Sequence, residues 1–529
     1  MNNTLDVDIS TPFSAKIYNG LRIFLAATVS LFSSLFACCK RKRIPVISDV
    51  ILKIPAIEVA KKIRNREITS VEVVRACIKR IGEVNPALNC FINDRFDLAL
   101  EEAKEIDALI RSGIKSTEQL QEEKPLLGVP FTIKDSICVK GLPATCGIYS
   151  KRNNIAREDA EVVRLLREKG AVIIGITNVP ELCIWWETHN TIYGTTNNPY
   201  DTARMVGGSS GGEGALQTAG GSCFGIGSDI GGSVRMPAYF NGVFGHKPTR
   251  KTVSNKGNFP PVTTEAEESC LGMGPLTKFA VDLKPILEII SDKNSKDLKL
   301  DQPVDISQLT VYYQINSNAP LTDAVDTEIE AALMKVVEHF HLKYHIKAQK
   351  RDIKLLKQSV NIWFASIATE KSPTSLIMED PSKNKMFVEL IKNMFGCSKN
   401  TLIPIFLGLS KEIDLKGEKY KTFLELGKNL ESVFKNMLGD DGIFLFPTHP
   451  TAALYHNESL FRPFNFSYTA VINSLGFPTT TVPLGLNRNG LPIGIQVVAN
   501  HYNDRLCIAV AEELEKAFGG WIEPQSVMT

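Results

Sequence analysis

Apolar residues recur at helical spacing through Val59, Ile63, Val71, Val74, Ile78 and Ile81, and the pattern continues from Leu98 to Ile110. That period puts them on one face of amphipathic helices packed against the outside of a sheet. Short apolar runs alternate with the helical stretches: Val129–Ile133, Ala171–Ile176, Ile443–Phe446, Thr479–Val482 and Ile493–Val498, each bounded by Gly, Pro or Asn. Such runs predict strands buried on both faces, so the fold class is α/β with a mostly buried sheet. From Leu283 to Gly439 glycines thin out while Lys, Glu and helical periodicity increase, which predicts a peripheral helical layer over about 283–439. Within it Met386, Phe387, Leu390, Ile391, Met394 and Phe395 share one helical face, followed by the apolar Leu402–Leu409. That stripe faces the core or dips into lipid beside the mouth of a site.

One segment stands apart from this pattern. Ile23–Cys39 carries no charge and runs directly into Lys40-Arg41-Lys42-Arg43, close to the roughly 20 residues that cross a bilayer. Residues 1–45 are therefore expected to hold a membrane anchor at about 21–39, with a cleaved signal peptide as the alternative. The basic cluster on its C-terminal side would leave the following domain, 46–529, cytosolic.

Composition narrows the partners. Sixty basic residues nearly balance 58 acidic ones for a net charge of +2, so no basic surface points to nucleic acid. A small-molecule or lipid-like substrate fits better. The eleven cysteines are scattered without a CxxC pair, against a zinc site or disulfide framework. His339-x-His341-xxx-His345 has no carboxylate or cysteine in matching phase, so no metal is expected.

The most unusual stretch is Gly207–Arg235, GGSSGGEGALQTAGGSCFGIGSDIGGSVR, with eleven glycines in 29 residues. A backbone so rich in glycine makes tight turns and close approaches. A phosphate loop would need a lysine after the glycines, and none follows. Gly207–Gly211 matches the spacing of a nucleophile elbow, but the polar loop Asn198–Val206 precedes it where a buried strand is required. Asp229-Ile-Gly-Gly-Ser233 fits nucleophilic catalysis better, since consecutive backbone N–H groups can converge on a developing oxyanion. A serine nucleophile needs a base. Lys134, ending the apolar run Val129–Ile133, is the best candidate, because burial favours the neutral amine.

Gly207–Ala215, Gly227–Pro237, Gly245-His-Lys-Pro-Thr249 and the upstream Gly128–Asp135 with Thr145-Cys-Gly147 together resemble the amidase signature family over roughly residues 55–518. The resemblance implies the amidase signature fold, a central twisted mixed sheet sandwiched by helices, and a serine hydrolase of amide bonds that uses no cofactor. It implies a Ser233 nucleophile, a bridging Ser209 that follows a cis peptide bond after Gly208, and neutral Lys134 as ultimate base. It further implies an oxyanion hole of the Ile230, Gly231, Gly232 and Ser233 amides, an Asp229–Arg235 brace, Ser210 near the lysine, and Cys183 toward the substrate. The N-terminal segment and apolar helical insert resemble the fatty-acid amide hydrolase branch, more closely its single-anchor type. Long-chain acyl amides are then the expected substrates and an endoplasmic reticulum or lipid-droplet-type membrane the expected location. Small soluble amides, a glutamine-type amidotransferase subunit, a non-catalytic lipid-amide binder and a homodimer stay open.

Overall fold

The computed structural model describes residues 13–37, 41–368, 383–410 and 415–524. In these residues the chain forms thirteen strands: β1 (Phe91–Asp94), β2 (Pro130–Lys134), β3 (Val172–Thr177), β4 (His189–Asn190), β5 (Gly194–Thr195), β6 (Phe224–Asp229), β7 (Phe244–Lys247), β8 (Gly272–Thr277), β9 (Thr310–Tyr313), β10 (Gln349–Lys350), β11 (Gly442–Pro447), β12 (Thr479–Leu486) and β13 (Pro492–Ala499). Eleven of them build one mixed sheet in the order β1-β3-β2-β6-β8-β7-β12-β13-β11-β9-β10, while β4 and β5 pair separately. The register that matters for function is parallel: β2 lies between β3 and β6, with Ile133 opposite Ile176 and Ile226.

Helices cover the sheet for the reasons the apolar period gives. Ser70–Leu88 starts at a capping box between Thr69 and Glu72 and buries Val73, Val74, Cys77, Ile81 and Val84. Phe96–Ser112 ends at Gly113 in the left-handed conformation. The first core groups Phe131, Ile133, Phe224, Ile226 and Val497. A second, around Phe434, Phe444, Phe446, Tyr468 and Val498, packs against other parts of the same sheet.

Two expectations need correction. The stretch 283–439 is mainly helical, yet it also supplies β9 and β10, which complete one edge of the main sheet. Its apolar stripe is largely open: Met386 is buried, whereas Phe387, Ile391, Met394 and Phe395 are exposed. The expected single-pass anchor is also not found, since among the described residues no helix is long and apolar enough to cross a membrane. Phe13–Ala37 is helical, but Arg22 is buried in an ion pair with Asp323 at 2.9 Å and donates to the Phe461 carbonyl. A buried ion pair holds that turn of the helix against the globular body, and Leu21, Phe24, Leu31 and Phe32 face outward. The end of the expected anchor, 38–40, lies outside the described residues.

Candidate active site

β2 ends at Lys134, whose side chain is buried. Its Nζ donates to Ser209 Oγ at 2.7 Å, to Ser228 Oγ at 2.9 Å and to the Ser228 carbonyl at 3.2 Å. Parallel pairing of β2 with β6 brings these groups together, because Lys134 follows Ile133 and Ser228 lies two residues past Ile226, the partner of Ile133 on β6. Ser209 reaches the lysine from the loop before the helix Gly211–Thr218, and the Gly208–Ser209 peptide bond is cis. That helix is pinned to the sheet by Glu213, which accepts from the Thr132 hydroxyl at 2.8 Å and the Thr177 hydroxyl at 2.9 Å. Burial pushes the Glu213 carboxyl up to about 7 against those hydrogen bonds. The helix also sits too close to the sheet for a side chain at 212, where a Cβ would come within 2.4 Å of the Asn178 amide nitrogen.

Ser233 is tied to the same loop through its backbone, since the Ser210 amide donates to the Ser233 carbonyl at 3.1 Å. Its hydroxyl has no hydrogen-bond partner among the described residues, so the Lys134–Ser209 link is drawn and the Ser209–Ser233 link is not. Ser210 Oγ donates to the Ser228 carbonyl at 3.4 Å, beside the lysine rather than on it.

The turn before Ser233 is held from inside by Asp229. It accepts from the Gly232 amide at 2.6 Å, the Val234 amide at 3.1 Å and Arg235 Nε at 3.0 Å, and Arg235 reaches on to Gln496 at 2.9 Å. Burial opposes its ionisation, but the Arg235 charge and hydrogen bonds and the Asn473 amide overcome it, holding the Asp229 carboxyl well below the usual range. Outside, Thr469 Oγ1 donates to the Gly231 carbonyl at 2.8 Å and Trp363 Nε1 to the Ile230 carbonyl at 2.8 Å. At Gly232, φ is +119° and a Cβ would meet Thr469 Oγ1 at 2.0 Å, so only glycine fits. With both carbonyls anchored, the amides of Ile230, Gly231 and Ser233 are unengaged among the described residues, while that of Gly232 is taken by Asp229.

Sequence reasoning missed part of this site. Ser228 and Ser136 stand beside the lysine, with their hydroxyls 3.4 Å apart. Asp135 accepts from the Thr145 amide at 2.8 Å, and burial raises its carboxyl to about 7. The alternation along β6 was the available signal for Ser228, because every second residue from Phe224 shares a face with it. Cys183, expected near the substrate, lies with its sulfur 3.3 Å from that of Cys146 and close enough to Lys134 to feel its charge.

Residues 72–508 match the Amidase family model. The chain belongs to the amidase family. It is a hydrolase of amide bonds, as that family is. Among its amidase relatives is fatty-acid amide hydrolase 2-A of Danio rerio, 42% identical over 95% of this chain and 97% of the relative. Fatty-acid amide hydrolase 2 of Homo sapiens is likewise 42% identical, over 90% and 91%. A solved fatty acid amide hydrolase superposes with a TM-score of 0.70 at 24% identity, covering 90% of this chain and 86% of the other, and so shares the amidase fold.

Proposed function

We propose that Ser233, Ser209 and Lys134 hydrolyse the amide bond of long-chain fatty-acid amides through an acyl-enzyme on Ser233. The observation that carries this reading is the buried Lys134 amine 2.7 Å from Ser209 Oγ, with no carboxylate bonded to it among the described residues. In the proposed cycle, Lys134 takes the Ser209 proton as Ser209 takes that of Ser233, and Ser233 Oγ adds to the amide carbonyl carbon. The oxyanion receives the unengaged amides of Ile230, Gly231 and Ser233. Collapse breaks the carbon–nitrogen bond, and the proton returns through Ser209 to the departing amine. Water then repeats the sequence on the ester and releases the carboxylic acid.

The fatty-acid amide hydrolase 2 relatives, similar along nearly the whole chain, support a long acyl group. So do the exposed Phe387, Met394 and Phe406 on the helices Lys383–Met394 and Leu402–Leu409, Phe395 just after the first of them, and the outward Leu21, Phe24 and Phe32 of the first helix. These faces would rest on a membrane surface as monotopic contacts while residues 46–529 form one catalytic domain. A fluorophosphonate probe should label the native protein and leave Ser233→Ala unlabelled, and turnover of oleamide should far exceed that of acetamide or glutamine. Equal labelling of the variant rejects the nucleophile. Faster turnover of the short amides rejects the substrate class.

A further inference from the structure

Behind the hydroxyls, two thiols lie within the electrostatic reach of the same lysine. Cys146 and Cys183 lie 37 residues apart in sequence, and their sulfurs approach to 3.3 Å. The loops that carry them are joined directly. The Leu182 amide donates to the Cys146 carbonyl at 2.9 Å, and the Cys146 amide to the carbonyl of Asp135, next to Lys134, also at 2.9 Å. Both cysteines have left-handed backbone, with φ of 51° and 55°. Cys146, Ile148 and Leu182 form a small apolar cluster of their own, with Cys183 packed on it.

The two sulfurs differ in chemistry. Burial pushes the Cys183 thiol up, but the Cys146 thiol, the Lys134 charge and the Ser209 and Ser136 hydroxyls outweigh it and bring it down to about 6. The hydrogen bond to Cys183, together with burial, pushes Cys146 well above the ordinary thiol range. Cys183 is partly exposed and Cys146 is buried. One sulfur is therefore the more acidic and belongs to the more exposed residue, and the other is a sheltered thiol in contact with it, the arrangement of an attacking and a resolving cysteine. Cys77 and Cys223 interact as a second thiol pair, but both are buried, and the hydrogen bond to Cys223 with burial pushes Cys77 up, which makes them a built-in comparison.

We propose that Cys146 and Cys183 form an oxidisable pair through which hydroperoxides reversibly switch off the catalytic relay. This inference rests on the Lys134–Ser209 reading above. Cys183 thiolate attacks the distal peroxide oxygen; a sulfur–oxygen bond forms, the oxygen–oxygen bond breaks, and the alkoxide leaves and takes up a proton as an alcohol. Cys146 sulfur then displaces hydroxide from the sulfenic acid, and its own proton leaves with that hydroxide as water. The two thiols lose two electrons, and the hydroperoxide is reduced to alcohol plus water. Closing the sulfurs from 3.3 Å to the roughly 2.0 Å of a disulfide takes the Cys183 sulfur away from the Ser209 and Ser136 hydroxyls that it meets. It also draws the 145–148 and 180–184 loops together beside them.

The test treats the full-length protein with a fatty-acid hydroperoxide or hydrogen peroxide and reads cysteine peptides by mass alongside amide hydrolysis. A Cys146–Cys183 bridge should form before Cys77 or Cys223 reacts. kcat/KM should fall at least tenfold, and dithiothreitol should restore it. Cys146→Ser, compared with its own reduced form, should form no bridge and lose its activity to peroxide irreversibly. Persistent free thiols at 146 and 183, or a bridge with unchanged kcat/KM, overturns the proposal. Reduced protein that never hydrolyses an amide instead overturns the relay reading, and the peptide masses still decide the thiol pair.

Discussion

Ser233 lies between two neighbourhoods of opposite electrostatic design. On one side Asp229 and Arg235 are fully buried ions that answer each other at 3.0 Å, and Asn473 and Gln496 supply further hydrogen bonds. On the other, the Lys134 amine meets two hydroxyls and a carbonyl, with thiols behind them. The first arrangement fixes a backbone turn and has nothing left to exchange. The second leaves a proton free to move, since among the described residues no carboxylate is bonded to the amine. A serine that must be both positioned and deprotonated needs one neighbourhood of each kind.

The contrast breaks most visibly at the lysine. Lys134→Ala should lower kcat at neutral pH by about 10²–10⁴-fold, the range a general base supplies. The residual rate should climb with alkali as hydroxide replaces the missing base. A pH profile parallel to that of the native protein would remove Lys134 from proton transfer.

The opposite neighbourhood should fail in stability. Arg235→Met leaves Asp229 charged, buried and unpaired, which costs about 3–5 kcal/mol when one partner of a buried pair is removed. Urea unfolding measures it. Asp229's carboxyl is held below its unfolded value, so the stability it contributes is present above about pH 4 and fades as the pH falls toward its folded value. Arg235→Met should therefore flatten the acid limb of the stability curve. Lys134→Met should lose less stability than Arg235→Met, because no ion is stranded. Equal losses would mean that the lysine side is held by charge as well.

How much of this contrast the sequence exposed follows from how local each signal is. Lys134 ends an apolar run and Ser233 ends a glycine pair, so both were legible from a few neighbours. Ser228, Ser136 and Cys146 were not, because only the parallel register of β2 with β6 and the pairing of two distant loops bring them to the lysine. β2, β3, β11, β12 and β13 were foreseen from continuous apolar runs. β9 and β10 were not, since they are short edge strands embedded among helices and half of their residues are polar or exposed. The first helix misled for a related reason. Hydropathy counts side chains without showing that Arg22 finds Asp323 some 301 residues away.

The subtlest difference between the neighbourhoods lies beneath them, at Glu213. Its carboxyl is raised to about 7 by burial and among the described residues is bonded only to neutral groups, the Thr132 and Thr177 hydroxyls and the Gln217 amide, whereas an unfolded glutamate titrates at about 4.3. The folded state therefore binds the proton more tightly. Glu213's contribution is complete below about pH 4 and is lost as the pH rises through about 7, the reverse of Asp229. Glu213→Gln keeps the shape of the neutral acid and removes the titration, so the variant should lose less stability than the native protein between pH 5 and pH 8. Asp135 and Glu181, also raised to about 7, retain their share of the slope. The expected gain at pH 8 relative to pH 5 is roughly 1–3 kcal/mol, from the separation of the folded and unfolded values. If urea midpoints of the two proteins shift in parallel across that window, Glu213 is ionised in the fold, and the helix Gly211–Thr218 is then pinned by a charge as the Ser233 turn is.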